Sequence, residues 1–179
     1  LRPSRRQCLG AMLLCGVAGW PVAASAIGLP PAYEAIVVEP IINGERSEFD
    51  LRPAAARARA EGKRLYIYLG ARECPFCRRY EAFLERHAAE LRPHFKPWLL
   101  VDLRSSLRVN ADRLWLQFGE RAMPFAEFQK QLGDERLRLV YPSVWLLNPI
   151  TGKPLMQMPA GTGTFETVEE QVEVLNLVQ

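Results

Sequence analysis

Apolar residues fall along this chain in short runs divided by proline, glycine and charge, and the runs follow two periods. Arg64-Leu65-Tyr66-Ile67-Tyr68-Leu69 is β-branched and aromatic and bounded by Gly70, which predicts a buried strand. Past Cys74-Pro75-Phe76-Cys77 the period changes. Tyr80, Leu84, Ala88 and Leu91 recur at helical spacing, with charged residues between them. This predicts one long helix, opened by the cysteine pair, running to about Leu91 and stopped by Pro93. Phe95 to Leu103 predicts a second strand with Trp98 to Val101 as its core. Ser143 to Leu147, directly after Tyr141-Pro142, predicts a third. Asn148 to Gly152 carries turn residues, so Pro154 to Met158 reads as the returning strand of a hairpin.

Weaker patterns fill the remainder. Ile27 to Phe49 is proline-rich, then holds the run Ala35 to Val38 and a turn at Asn43-Gly44, so it reads as an N-terminal extension adding a strand. Asp50 is placed to cap an alanine-rich helix over Leu51 to Glu61, closed by Gly62. Arg113 to Phe118 predicts a short strand, and Phe125 to Leu132 a short helix with Pro124 at its first position. Thr167 and Glu170 form a capping box for a last helix whose apolar stripe is Val168, Val172 and Leu175. Strands joined by crossover helices predict an α/β fold, a central mixed sheet with helices on both faces. A helical insertion precedes the strand led by Pro142.

The first 26 residues differ from the rest. Arg2, Arg5 and Arg6 precede an apolar run from Cys8 to Trp20, followed by Ala24-Ser25-Ala26. A charged start, an apolar stretch and small residues at a cleavage site predict a signal peptide over 1–26. The apolar run of about 13 residues falls short of the roughly 20 a spanning helix needs, which argues against a membrane anchor. Ser4-Arg5-Arg6-Gln7-Cys8-Leu9 also resembles a twin-arginine export signal. The organisation read from sequence is therefore a leader at 1–26, an extension at 27–49 and one domain over 50–179, exported to the periplasm.

Composition then removes function classes. The chain has 179 residues, 49% hydrophobic and 24% charged, as a soluble globular domain does. Loss of the leader takes three of 23 basic residues and leaves 20, equal to the 20 acidic ones. A neutral domain with mixed signs lacks the footprint of nucleic-acid binding. Cys8 and Cys15 leave with the leader, so the domain keeps Cys74 and Cys77 alone. A loop of two intervening residues is too small to staple a fold. In an exported domain the spacing points to redox chemistry or to half a metal site. Thiol–disulfide exchange needs an attacking thiolate and a second thiol that resolves the mixed disulfide. With Cys74 at the helix N-cap, unpaired N–H groups and the helix dipole favour its anion, and Cys77 lies one turn inside. Glu73 opposes that anion; Arg72, Arg78 and Arg79 favour it.

A strand ending in Tyr68-Leu69-Gly70-Ala71, then Cys74-Pro75-Phe76-Cys77 opening a helix, then Pro142 before a strand and hairpin, resembles the thioredoxin-like superfamily. Within it the chain is most similar to exported bacterial members, the SoxW-type and Dsb-like proteins. The resemblance implies that Cys74 is the exposed nucleophile and Cys77 its buried partner. It implies that the Tyr141-Pro142 bond is cis, so that Pro75, Phe76, Tyr141 and Pro142 shape a substrate groove. It implies an oxidoreductase acting on protein cysteines, in either direction, with a membrane-bound electron donor or acceptor. No cofactor is required beyond the disulfide. The chain departs from thioredoxins in three places, one of them the Pro75-Phe76 dipeptide, which differs from their Gly-Pro and resembles those of glutaredoxin-like and Dsb enzymes. Glu73 stands where a tryptophan usually precedes the first cysteine, and Tyr68 stands about where a buried acid would lie, so Cys77 has no identified proton acceptor.

Two other functions fit the same cysteines, a carrier of soft metal such as copper (or a cytochrome-assembly chaperone) and a non-catalytic binding module. Structural zinc fits poorly, because His87 would lie about 15 Å along the helix from Cys77. We therefore expect no metal.

Overall fold

The computed structural model describes residues 27–134, 136–158 and 167–178, so the leader read at 1–26 lies outside it. In chain order the first strands are β1 (Ile36–Val38), β2 (Ile41–Asn43) and β3 (Arg46–Asp50). Helix α1 (Arg52–Ala60), strand β4 (Arg64–Ala71), helices α2 (Pro75–Arg86) and α3 (Ala88–Phe95) and strand β5 (Trp98–Ser105) follow. Then come β6 (Leu114–Gln117), β7 (Ala122–Pro124), α4 (Phe125–Gln131), β8 (Ser143–Leu147), β9 (Pro154–Gln157) and α5 (Val168–Leu177).

Nine strands make two mixed sheets among these residues. The central one runs β1-β5-β4-β8-β9, parallel across β1, β5 and β4 and antiparallel at β8 and β9. A two-residue period divides its side chains between two cores. Leu65, Ile67 and Leu69 of β4 face α1 and α4, together with Val101, Leu103 and Trp145. Tyr66 and Tyr68 face the other way, among Tyr80, Phe83 and Leu84 of α2, Leu91 of α3 and Leu175 of α5. Each large apolar side chain buried in this way stabilises the fold by roughly 1.5–3 kcal/mol.

The smaller sheet, ordered β2-β3-β6-β7, joins residues far apart in sequence: Ser47 pairs with Leu114 and Asp50 with Gln117, in parallel. The segment read as an extension is thus woven into the domain, β1 along the edge of the central sheet and Phe49 in its core with no exposure. The insertion carries strands β6 and β7 as well as the expected helix α4.

Local expectations shift at several points. The helix after Cys74 breaks at His87 (φ −103°, ψ 20°) rather than at Pro93, which sits inside α3. Pro93 denies α3 a single amide bond, and the segment ends two residues later. Phe95 therefore closes a helix instead of opening a strand. Pro124 is the N-cap of α4 and pairs in β7, not the first helical residue. Leu51 rather than Asp50 holds the N-cap position of α1, because Asp50 is still paired in β3. The Asp50 carboxylate reaches the helix all the same, accepting the Arg52 N–H at 3.0 Å. The capping box at Thr167 and Glu170 forms with both of its hydrogen bonds. No helix among the described residues is long and apolar enough to cross a membrane.

One glycine is fixed by close approach. Gly28 adopts φ +103°, and a Cβ there would lie 2.1 Å from Oδ2 of Asp102 on β5. That oxygen accepts the Leu29 N–H at 3.2 Å and the Arg104 Nε at 3.3 Å. Gly28→Ala is expected to cost about 2 kcal/mol through strain and displacement of the Asp102 carboxylate. Urea unfolding checks this, and an unchanged midpoint would count against the contact.

Candidate functional site

The central strand β4 delivers the cysteine pair. It ends at Gly70-Ala71, the chain turns through Arg72-Glu73, and Cys74 follows as the N-cap of α2. Its extended backbone (φ −83°, ψ 113°) suits that position, and Pro75 occupies the first helical residue, where a missing N–H is harmless. The Cys74 sulfur accepts the Cys77 backbone N–H at 3.1 Å. This is the contact a helix N-cap offers an anion. Both residues are free thiols.

Cys74 differs from the exposed nucleophile that the family resemblance implies. It is 2% exposed and Cys77 is fully buried. The reason is local: the Cys74 side chain turns inward to cap α2 and joins the core beside Tyr141. Burial, reinforced by the Cys74 sulfur, pushes the Cys77 thiol well above its ordinary value.

The charges near Cys74 are engaged elsewhere. The Glu73 carboxylate turns away to the loop after β5, accepting Ser106 Oγ at 3.2 Å and the Leu107 N–H at 3.3 Å. Its own backbone N–H and that of Leu107 hold it below the usual carboxylate value. Arg78 donates to Glu81 and to the Arg72 carbonyl. Arg72 lies 3.9 Å from Glu39, and Arg79 stands over the Phe76 ring. The arginines that sequence alone assigns to the thiolate therefore have other contacts.

Tyr141 shares the core cluster of the pair, Pro142 directly precedes β8, and the Tyr141-Pro142 bond is cis. Tyr141 is 9% exposed, and its hydroxyl shares a hydrogen with Ser105 Oγ at 2.8 Å and donates to the Ser106 carbonyl at 3.3 Å. Burial pushes that phenol up to about 12, with the Ser105 bond opposing and the neighbouring thiols adding to the shift. Tyr141 lines a cleft of about 550 Å³ together with Leu107, Val109, Leu137 and Leu139. Pro75 and Phe76, between the cysteines, are both exposed, Phe76 at 36%.

Sequence reasoning missed Glu81. It lies on α2 four residues after Cys77, is 6% exposed, and accepts the Tyr68 hydroxyl at 2.9 Å and Arg78 at 2.5 Å. Burial raises its carboxyl above the ordinary value, which Tyr68 and Arg78 partly offset. The i, i+4 spacing from Cys77 placed it on the cysteine face of the helix, and that was the signal available. His87 sits at the helix break, 3.2 Å from Glu90. No cluster of three or more metal-ligating side chains occurs among the described residues.

A parallel core of three strands extended by an antiparallel hairpin, a Cys-x-x-Cys helix leaving the central strand, and a proline-led strand beside it define a thioredoxin-like fold. The class is thus a thioredoxin-like domain carrying two adjacent thiols. Models of protein families give no match to the sequence, and neither do curated proteins. Among solved structures the chain is similar to one described as a thioredoxin-fold protein from Helicobacter pylori. The two are 17% identical with a TM-score of 0.42, over 65% of this chain and 69% of that one.

Proposed function

We propose that this protein is an exported thiol–disulfide oxidoreductase that acts on protein cysteines through Cys74 and Cys77. The observation that carries the reading is the Cys77 N–H on the Cys74 sulfur at 3.1 Å, at the start of α2. That contact seats the attacking sulfur at the start of the helix, one turn from its resolving partner. The inner thiol is held protonated by burial until the mixed disulfide forms. A substrate strand enters along the cleft beside Tyr141 and Pro142 and displaces side chains that cover Cys74. Pro75 and Phe76, exposed between the cysteines, meet the incoming substrate. The leader-like sequence at 1–26 supports a periplasmic site of action, and with it an electron donor or acceptor at the membrane.

Equilibration of the purified protein with reduced and oxidised glutathione tests this. The expected result is a reversible Cys74–Cys77 couple together with catalysed reduction of insulin by dithiothreitol. Stoichiometric Cu(I) binding without turnover would replace the enzyme reading with that of a metal carrier.

A further inference from the structure

The central sheet holds a buried acid that thiol exchange does not use. Asp102 of β5 is 1% exposed, and its two oxygens are unequally served. Oδ2 accepts the Leu29 N–H at 3.2 Å and the Arg104 Nε at 3.3 Å. Oδ1 is buried with no hydrogen-bond partner among the described residues. An acceptor left in that state costs the fold its full desolvation. Burial raises the carboxyl above its ordinary value, and Arg104 offsets this only in part.

What covers Asp102 is the stretch that follows the leader-like segment. Ile27 and Gly28 line a narrow crevice together with Asp102 and Arg104. Its volume of about 10 Å³ is room for one water or one ammonium head. Gly28 and Leu29 are buried, whereas Ile27 is 41% exposed, so residue 27 stands at the mouth. Gly28 packs so closely that any side chain there would collide with Oδ2. Residues 28 and 29 thus hold the chain against the carboxylate, directly after the nitrogen of Ile27.

Leader removal changes that nitrogen. Attached to Ala26 it is an uncharged amide with a single proton. A leader peptidase hydrolyses the Ala26-Ile27 bond with one water, leaving a carboxylate on Ala26 and an ammonium with three donors on Ile27.

We infer that Asp102 is the binding site for the α-ammonium group of Ile27, the amine that cleavage after Ala26 creates. This rests on the leader reading above and not on the thiol chemistry. Oδ1 accepts a hydrogen bond from the ammonium, while Oδ2 keeps Leu29 and Arg104. The pair ties the start of the mature chain to β5, beside the ladder in which Val37 meets Asp102. A precursor with an amide at residue 27 cannot form it.

Other charges act at the same place. Glu81 and Arg72 line the crevice, Arg104 holds Oδ2, and Glu39 opposes ionisation of Asp102. Glu81 is paired with Arg78, and Arg72 lies near Glu39, so the open oxygen is that of Asp102. An ammonium beside a carboxylate titrates above an ordinary α-amine, whose midpoint is about 8. Burial without a partner moves it down instead. Stability from the pair is full below the ordinary midpoint and is lost as pH rises through the raised one.

The full chain, exported with its leader by a bacterial host and purified from the periplasm, tests this. Intact mass is expected to place the N-terminus at Ile27. Competitive labelling with trace acetic anhydride then follows the reactivity of that amine against pH, in the folded protein and in the same protein in urea. The folded protein should show about tenfold lower reactivity near pH 8, because its midpoint is raised by about one pH unit. In Asp102→Asn the midpoint returns to the urea value or below. Steric cover alone would lower reactivity at every pH and leave the midpoint in place. A folded wild-type midpoint at or below the urea value overturns the pairing without need of a variant. A raised midpoint that persists in Asp102→Asn overturns the choice of Asp102. A chain that is not exported, or that starts elsewhere than residue 27, overturns the leader reading and this inference with it.

Discussion

Cys74→Ser leaves no measurable reduction of protein disulfides, a fall of at least ~10³-fold, while the protein folds normally. Serine is among the best N-cap residues, and its hydroxyl accepts the same Cys77 N–H that the sulfur accepts at 3.1 Å. The helix start therefore survives and the loss is chemical, since a hydroxyl oxygen cannot form the mixed disulfide that a cysteine sulfur forms. Cys77→Ser removes activity in a different way. Cys74 still attacks, but no second thiol follows, so the protein accumulates as a covalent mixed disulfide with its substrate. Mass spectrometry after incubation with an oxidised protein distinguishes the two: no adduct for Cys74→Ser, a one-to-one adduct for Cys77→Ser. Adducts at Cys77 in the Cys74→Ser protein would reverse the assignment of attacker and resolver. The burial of Cys74 adds a corollary, because large alkylating reagents should react with it more slowly than small ones of equal intrinsic reactivity.

The second large effect is on stability. Trp145→Ala is expected to cost about 3–5 kcal/mol, a third or more of the stability of a typical domain. Trp145 is 1% exposed at the centre of β8, paired with Ile67 of β4. Its ring sits 5.6 Å from Phe125 and 5.1 Å from Phe128, the two aromatic residues by which α4 docks on the sheet. Truncation opens a cavity beside these two rings, which cannot both move to close it. Because Tyr141-Pro142 leads directly into β8, the same change should loosen the packing beside Cys74. Chemical denaturation measures the first effect and the rate of Cys74 alkylation the second. A loss below 1 kcal/mol would mean that α4 does not pack on this sheet as described.

Much of the fold was written locally. The strands expected at 64–69, 143–147 and 154–158 are β4, β8 and β9, since an apolar run between turn residues states its own limits. The helix from the cysteine pair and the last helix were legible for the same reason, through helical spacing and a capping box. Failures fell where the deciding partner lies elsewhere in the chain. Asp50 lost its N-cap position to a ladder with Gln117, a residue 67 positions away. The break at His87 leaves α3 free to pack against α5 and against Tyr33, whose ring meets Phe95 edge-on at 5.2 Å.

By itself the sequence determined that two cysteines open a helix, that Pro142 leads an apolar strand, and that strands and helices alternate along the chain. Periodicity, caps and turn residues are properties of neighbouring positions, so they can be read along the chain. Tertiary structure alone decided that Cys74 is covered, that β3 and β6 build a second sheet, and that Tyr68 of β4 meets Glu81 of α2 in the interior. Those outcomes depend on which elements pack face to face, and side-chain burial and charge follow from that packing rather than from any local pattern.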